Sequence, residues 1–228
     1  MKLNKRLLAL SEMVVEPYSV VWDCCCDHGL LGIQILADGV IKQVNFVDVV
    51  PDIIQRLTDK LTQHAHHLPA DAKWQTLCDD VVNIPLNHGV QTGKRQLVII
   101  SGVGGELMIS MLSDLIKRYD GEAIDYLLCP VQHTYKLRDR LISLGFKLKQ
   151  QQLLIENKRG YELLLVNQQQ GEAITLTGEK MWLPISAHRD YLAKLITHYQ
   201  RVVETGHLDR AIEASALRDY RALYQQRY

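Results

Sequence analysis

The amino-acid sequence predicts a doubly wound α/β fold, followed by a hairpin of two antiparallel helices. Short apolar runs alternate with stretches of helical periodicity along residues 1–167, which is typical of parallel strands joined by helices. Several of these runs end in an acidic residue or in glycines, as strands do at the sheet edge where ligands bind. From about residue 175 the chain keeps helical periodicity and shows no strand pattern. We therefore expect two units, residues 1–167 and 172–228.

The first predicted element is an amphipathic helix over residues 1–15. Leu3, Leu7, Leu10 and Val14 recur there at helical spacing. Short apolar runs then predict strands at residues 19–22, 44–47, 97–100 and 124–129, and a weaker pattern predicts another at 74–77. Because strands buried on both faces read as continuous apolar runs, these five are expected to form a parallel sheet.

Helices are expected between these strands, at residues 29–36, 51–68, 106–119 and 134–144. Pro51 stands where the second of these helices begins, and Gly145 ends the last one. Residues 147–155 and 161–166 alternate in polarity and predict an antiparallel pair at the edge of the sheet. The polar stretch 167–171 is expected to link the sheet to the C-terminal helical hairpin.

Composition excludes several functional classes. The 26 Lys and Arg balance the 26 Asp and Glu among 228 residues, so any nucleic-acid-binding surface must be a local basic patch. No apolar run approaches the roughly 20 residues of a membrane span, and the N-terminus lacks the features of a secretory signal. Five cysteines, three of them adjacent at Cys24–Cys26, favour a reduced, cytoplasmic protein with neither disulfides nor a metal site.

Acidic residues at strand ends are the first candidates for a binding site. Asp48 follows the second strand, 25 residues after Asp23 at the end of the first. A carboxylate at this position can accept hydrogen bonds from both ribose hydroxyls of a nucleotide-type cofactor, although a solvated acid is the simpler alternative. Asp79 and Asp80 follow the third strand, where they are expected either to accept from an adenine amine or to form a polar turn.

The glycine-rich stretch Ser101–Gly105 is the most specific local feature. Its three glycines after the strongest strand would let a ligand approach the backbone closely. The spacing differs from the dinucleotide fingerprint G-x-G-x-x-G, so a nicotinamide cofactor is poorly supported. After the fifth strand, His133 is a candidate base, phosphate contact or helix cap.

Together these residues resemble the bacterial tRNA (adenine(22)-N(1))-methyltransferase family, within the class I S-adenosylmethionine-dependent methyltransferases. The family segment D-I-G-S-D-H-A is similar to Asp23–Gly29, and I-A-G-M-G-G is similar to Ile100–Gly105. The family's L-Q-P-N, followed by His and Arg, is similar to Leu128–Val131 with His133 and Arg138. The resemblance covers residues 3–166 and implies a Rossmann-like methyltransferase sheet with a C-terminal, coiled-coil-like helical domain.

The resemblance also implies roles for individual residues. The catalytic residues would be Asp27 and His28, which would support the positive charge that forms on the methylated base. S-adenosyl-L-methionine would be held by Asp23, Cys24, Cys25, Cys26, Gly29, Asp48, Val49, Asp79, Asp80, Ser101 and Gly102. The tRNA would be contacted by Val103, Gly104, Gly105, Pro130, His133, Arg138, Lys5 and Arg6. We expect a monomer.

Two departures from the family pattern leave alternatives open. Cys25 stands where the family has glycine, and Val131 stands where it has asparagine. A Cβ and sulfur at Cys25 could crowd the cofactor or oppose a positive φ. The alternatives are a methyltransferase of another RNA base or of a small molecule, and a non-catalytic tRNA-binding relative that has lost the cofactor.

Overall fold

The structure is a computed structural model that describes residues 3–86, 94–205 and 210–228. Its helices are α1 (Lys5–Glu12), α2 (Leu30–Ala37), α3 (Pro51–His64), α4 (Gly105–Arg118), α5 (Thr134–Ser143), α6 (Ser186–Thr205) and α7 (Arg210–Arg227). Its strands are β1 (Val20–Cys24), β2 (Gln43–Asp48), β3 (Lys73–Cys78), β4 (Gln96–Ser101), β5 (Ile124–Cys129), β6 (Lys147–Glu156), β7 (Arg159–Asn167) and β8 (Glu172–Ala173).

The eight strands form one sheet in the order β3-β2-β1-β4-β5-β7-β6-β8. Strands β1 to β5 pair in parallel, and β7, β6 and β8 extend the sheet antiparallel. This confirms the predicted doubly wound α/β fold with its antiparallel edge. The chain moves from β1 to β2 on one side and later returns to β4 on the other, so the strand order reverses at β1.

Helices cover both faces of the sheet. Leu10 of α1 and Leu57 of α3 belong to the cluster that buries one face, together with α2. Leu112 of α4 and Leu141 of α5 belong to the cluster that buries the opposite face. Each fully buried leucine contributes about 1.5–3 kcal/mol relative to an exposed one. The two layers thus fix the strand ends from which the loops emerge.

The C-terminal helices pack against the same body through a third apolar cluster. Trp182 and Leu192, before and within α6, are buried together with Tyr220 of α7. Tyr135 of α5 belongs to this cluster, and its hydroxyl donates to Oδ2 of Asp219 at 2.7 Å. Consequently α6 and α7 lie over α5 and the β6–β7 pair.

Two helices end earlier than predicted. Helix α1 begins after Asn4, which caps it by accepting from the amide of Leu7 at 2.8 Å, and it ends at Glu12. Helix α3 ends at His64 and is followed by a short 3₁₀ turn, since Pro69 favours an extended residue before it. Gly145, with φ of 76°, follows α5 as predicted.

The segment predicted as a linker is a structured turn. The side-chain oxygen of Asn167 accepts from the amides of Gln169 and Gln170 at 2.9 and 2.6 Å. The unpredicted strand β8 then pairs with the start of β6. Within the described ranges, no helix is both long and apolar enough to cross a membrane.

Candidate active site

A cavity of about 360 Å³ lies at the carboxyl ends of β1 and β4, where the strand order reverses. We call it the strand-end cavity. Open α/β sheets bind ligands in such crevices. The cavity is lined by Arg6, Leu7, Asp23, Cys25, Cys26, Asp27, His28, Leu30, Leu31, Ser101, Gly102 and Val103. All of these except the three leucines are residues that the sequence singled out.

The turn after β1 shapes the floor of this cavity. Cys25 and Asp27 adopt φ values of 57° and 48°, in the left-handed region that L-residues enter at a cost of about 1–2 kcal/mol. The turn is held by two backbone bonds, from Cys26 to Val47 at 3.1 Å and from Gly29 to Cys26 at 2.8 Å. Cys25 therefore keeps a glycine-like backbone while its side chain lines the cavity. Burial raises the pKa of its thiol to about 11, so the thiol is protonated at neutral pH.

Asp23 is a buried carboxyl group at the base of the cavity. One of its oxygens accepts from the amide of Gly32 at 2.9 Å, which ties the end of β1 to the first turn of α2. Burial raises the pKa of Asp23 to about 7, the Gly32 hydrogen bond opposes this rise, and the nearby charge of Asp48 adds to it. A cationic ligand group beside Asp23 would stabilise its ionised form.

Asp48 joins two segments at the tip of β2. Its Oδ2 accepts from the amide of Asp27 at 3.2 Å, and its Oδ1 accepts from the amide of Val50 at 3.1 Å. The carboxylate is half-buried, so its remaining lone pairs are open to a ligand. Asp48 is therefore placed beside the β1 turn, as the spacing of strand-end acids predicts.

The acids after β3 continue the same edge. The amide of Asp79 donates to the carbonyl of Asp48 at 3.1 Å, which sets the two strand ends side by side. Oδ1 of Asp79 accepts from the side chain of Asn83 and from the amide of Asp80, and these bonds lower the pKa of Asp79. Asp80 accepts from the amide of Val82 and caps a short 3₁₀ turn. Of the two roles expected for this position, Asp80 therefore has that of a polar turn residue.

Asp27 and His28 stand at the rim of the strand-end cavity. Both side chains are exposed, and Oδ1 of Asp27 lies 3.7 Å from Nε2 of His28. A carboxylate in this position can stabilise positive charge that develops on a substrate held in the cavity.

The loops after β4 and β5 are joined by backbone hydrogen bonds. The amide of Val131 donates to Val103 at 3.0 Å, and the amide of Gly105 donates to Gln132 at 2.9 Å. Gly105 has no room for a side chain, because an added Cβ would lie 2.9 Å from the carbonyl oxygen of Gln132. Gly102 has φ of 83°, and an added Cβ would meet open space. Gly105 thus allows the two loops to approach closely, and Gly102 leaves the cavity wall open.

A second cavity of about 450 Å³ lies on the other side of these joined loops, between β7 and α6. We call it the hairpin cavity. It is lined by Arg6, Pro130, Val131, Gln132, His133, Thr134, Lys158, Arg159, Gly160, Tyr161, Glu162, Tyr191, Lys194, Leu195, His198, Tyr199 and Tyr220. Arg6 lines both cavities, and its guanidinium carbon lies 5.2 Å from the centroid of the Tyr161 ring. The two cavities are therefore neighbours.

Other predicted site residues line neither cavity. Cys24 is buried in the core, and Gly29 packs so closely on Leu57 that an added Cβ would overlap it. Lys5 donates its backbone amide to Glu156 at the start of α1. The remaining ones are Asp48, Val49, Asp79 and Asp80 at the neighbouring strand ends, Gly104 and Gly105 at the start of α4, and Arg138 on α5.

The prediction that Arg138 contacts an RNA phosphate is wrong. Its side chain has no solvent exposure, and its Nε donates to Oε2 of buried Glu162 at 2.9 Å. It donates further to Gln151, to the carbonyl of Thr175 and to the sulfur of Met181. Arg138 fastens the segment before α6 to the sheet.

The sequence reasoning missed Glu162 and the tyrosines of α6 as cavity residues. The sequence favours helix packing for Tyr199 and leaves Tyr191 open between packing and RNA contact, and it assigns Glu162 to an alternating strand. An acid directly before the apolar run Leu163–Val166 was the one local signal available, because buried acids need a specific partner.

Comparisons with known proteins agree with this geometry. A family model described as a methyltransferase domain matches residues 3–164. A curated relative, carboxy-S-adenosyl-L-methionine synthase of Mannheimia succiniciproducens, is 28% identical over 143 residues, or 56% of this chain. The match spans only 57% of that relative's length.

Two solved structures cover nearly the whole chain. Streptococcus pneumoniae Sp1610 in complex with S-adenosyl-L-methionine is 18% identical, with a TM-score of 0.76, over 98% of this chain and 100% of its own. The B. subtilis m1A22 tRNA methyltransferase TrmK is 16% identical, with a TM-score of 0.68, over 99% and 98%. At such identities the likeness shows a shared fold, including the C-terminal helices. With the family model matching well over half of its residues, the chain belongs to the methyltransferase-domain family.

Proposed function

We propose that this protein transfers a methyl group from S-adenosyl-L-methionine to N1 of an adenine in tRNA. The observation that carries the proposal is the strand-end cavity, whose acids and glycine loop lie next to a second, aromatic-lined cavity. The strand-end cavity would hold the methyl donor, and the hairpin cavity would receive the nucleic acid. The similarity to TrmK, named as an m1A22 tRNA methyltransferase, supports this substrate and makes position 22 the first to test.

The residues present fit the proposed cofactor. Its sulfonium and amino groups are cationic, and Asp23 supplies a buried carboxyl group beside the β1 turn. Asp48 would accept from the ribose hydroxyls, and Asp79 from the adenine amine. The side chain of Cys25 takes up space in the cavity but leaves the turn in its glycine-like conformation. When bound, the cofactor supplies an electrophilic methyl group without a metal.

The chain's own contribution to the reaction would be alignment and charge. N1 of neutral adenine carries an in-plane lone pair, so no protein base is needed to create the nucleophile. The product base is cationic, and the exposed carboxylate of Asp27 at the cavity rim would stabilise that charge. The loop Gly102–Gly105 would hold the base in line with the methyl group. His28, 3.7 Å from Asp27, would position that carboxylate.

Local basic residues would bind the tRNA backbone. Lys158, Arg159 and Lys194 line the hairpin cavity and are exposed, and Arg6 joins the two cavities. Such cations release counterions when they bind phosphates, so binding should weaken with salt. A tRNA substrate implies action in the cytoplasm, and we propose a monomer as the active form.

The test combines cofactor binding with product analysis. The purified, reduced protein is titrated calorimetrically with S-adenosyl-L-methionine and S-adenosyl-L-homocysteine. It is then incubated with unmodified tRNA and labelled cofactor, and the digested nucleosides are identified. We expect one-site binding of both ligands and labelled N1-methyladenosine. If the cofactor binds but a nucleoside other than N1-methyladenosine is labelled, the proposed substrate is wrong. If the folded protein binds neither ligand, with or without tRNA, the proposed enzymatic activity is wrong.

A further inference from the structure

The hairpin cavity has the size and walls of a nucleobase pocket. Its volume of about 450 Å³ lies within the usual range of ligand pockets. Tyr191, Tyr199 and Tyr220 line it from α6 and α7, and the ring centroids of Tyr199 and Tyr220 are 5.7 Å apart. Aromatic rings of this kind stack on unpaired bases of RNA. The cationic side chains at its mouth suit the phosphates on either side of such a base.

Two buried polar atoms at this cavity have no partner among the described residues. Glu162 is 1% exposed, and while its Oε2 is bonded to Arg138, its Oε1 is unpaired. Nδ1 of His133, on the neighbouring loop, is also buried and unpaired. A buried polar atom without a partner costs about 1–3 kcal/mol, so these atoms mark a place where polar ligand groups are expected, with a donor facing Glu162.

We propose that the hairpin cavity receives the target adenine, and that Glu162 selects it by accepting from its exocyclic amine. This inference rests on the proposed function. N1 of the adenine must stay free to accept the methyl group, so the 6-amino group is the donor left for recognition. Guanine presents a carbonyl oxygen at the same position. Two acceptors would then face each other, and no hydrogen bond to Glu162 could form. The helical hairpin would thereby form part of the site that binds the target base, in addition to a surface that binds the tRNA.

The same pocket suits the product. Methylation at N1 gives the base a positive charge, and the faces of tyrosine rings attract cations. The carboxyl group of Glu162, held by Arg138, lies beside these rings. Arg6 lines both this pocket and the strand-end cavity, so the two spaces meet beside its side chain. In-line transfer requires N1 to contact the methyl group, so the adenine would lie where the two cavities meet, with its 6-amino group towards Glu162.

The first experiment compares adenine with purine, which keeps N1 but lacks the 6-amino group. Methyl transfer is measured on two tRNAs that differ only by adenosine or purine riboside at the methylated position. Glu162→Gln is the variant, because its amide oxygen can still accept from Arg138 while its NH₂ faces the cavity. We expect the adenine-to-purine ratio of kcat/KM to fall by about 10-fold or more relative to wild type. Cofactor affinity should be unchanged.

A second pair of variants tests the cavity itself without depending on Glu162. Leu195→Trp would fill the cavity from α6, and Thr197→Trp adds the same side chain at an exposed position on that helix. The tRNA carries 2-aminopurine at the methylated position. This base lacks the 6-amino group, so its fluorescence reports whether the base leaves the stack and enters the cavity, and not whether it contacts Glu162. We expect the fluorescence change of wild type to persist in Thr197→Trp and to be lost in Leu195→Trp, with tRNA affinity retained in both.

The outcomes separate the two proposals. An unchanged adenine-to-purine ratio in folded Glu162→Gln, or an unaltered 2-aminopurine signal in Leu195→Trp, would overturn the base pocket while methylation by wild type continued. A wild-type protein that methylates no adenine would overturn the proposed function, and the base pocket with it.

Discussion

Nε of Arg138 on α5 donates to Oε2 of Glu162 on β7 at 2.9 Å, and both side chains are sealed from solvent. Burial raises the pKa of Glu162, and the guanidinium opposes that rise. Removing one member of a buried ion pair leaves the other charge without compensation. A structural role for this pair therefore predicts that its loss destabilises the fold, whereas a role in RNA contact alone does not.

We expect Arg138→Leu to lower the free energy of unfolding by about 3–5 kcal/mol, because Glu162 would lose its buried partner. Urea unfolding at neutral pH measures this. Arg140→Leu is the matched control, since Arg140 is exposed on the same helix. Equal unfolding free energies for the two variants would contradict the structural role.

Asp48 should be essential for cofactor binding. We expect Asp48→Ala to weaken S-adenosyl-L-methionine binding by about 10- to 100-fold, since charge-assisted hydrogen bonds to the ribose would be lost. Titration calorimetry measures the dissociation constants. Asp59→Ala, which removes an exposed carboxylate on α3, is the control. Equal affinities of the two variants for S-adenosyl-L-methionine would show that Asp48 does not bind the ribose.

The backbone at Cys25 makes a separate prediction. Cys25→Gly and Cys25→Ala both remove the thiol, but alanine keeps a Cβ in the left-handed region at φ of 57°. We expect the glycine variant to be more stable than the alanine variant by about 1 kcal/mol. It should also bind S-adenosyl-L-methionine more tightly than wild type, because the cavity gains room. An alanine variant as stable as the glycine variant would show that this turn is unstrained.

Stability should depend on pH through Asp23. Its pKa rises from about 4 in the unfolded chain to about 7 in the fold, chiefly through burial, so the native state holds this proton more tightly. Its contribution to stability is fully present below pH 4 and is lost as pH rises to 7. Asp23→Asn lacks this dependence and can still accept from Gly32. We therefore expect wild type to lose stability relative to Asp23→Asn between about pH 4 and pH 7 in urea titrations, and parallel curves would contradict the assignment.

The sequence was sufficient to predict those parts of the site that depend on local pattern. The continuous apolar runs of β1, β2 and β4 identified the central strands, and the parallel sheet then brought the Asp23, Asp48 and Ser101 strand ends together. This grouping is physical, because parallel strands present their carboxyl ends at one edge.

Contacts between distant elements could not be predicted in the same way. Arg138 and Glu162 are 24 residues apart on a helix and a strand, and nothing in either segment signals their pairing. The tyrosines of α6 have ordinary helical spacing, and their role follows only from the placement of that helix over β7. Strand β8 is too short, at two residues, to leave a pattern.

Apart from Arg6, the described linings of the two cavities come from separate stretches of chain, one ending at Val103 and the other starting at Pro130. Under the proposed function, the methyl-donor site and the nucleic-acid site are thus encoded in series along the chain rather than interleaved. Substitutions in the second stretch would then change which nucleic acid is modified without rebuilding the methyl-donor site. That division would make the C-terminal half the place where substrate range diversifies, while Arg6, which lines both cavities, would have to suit both.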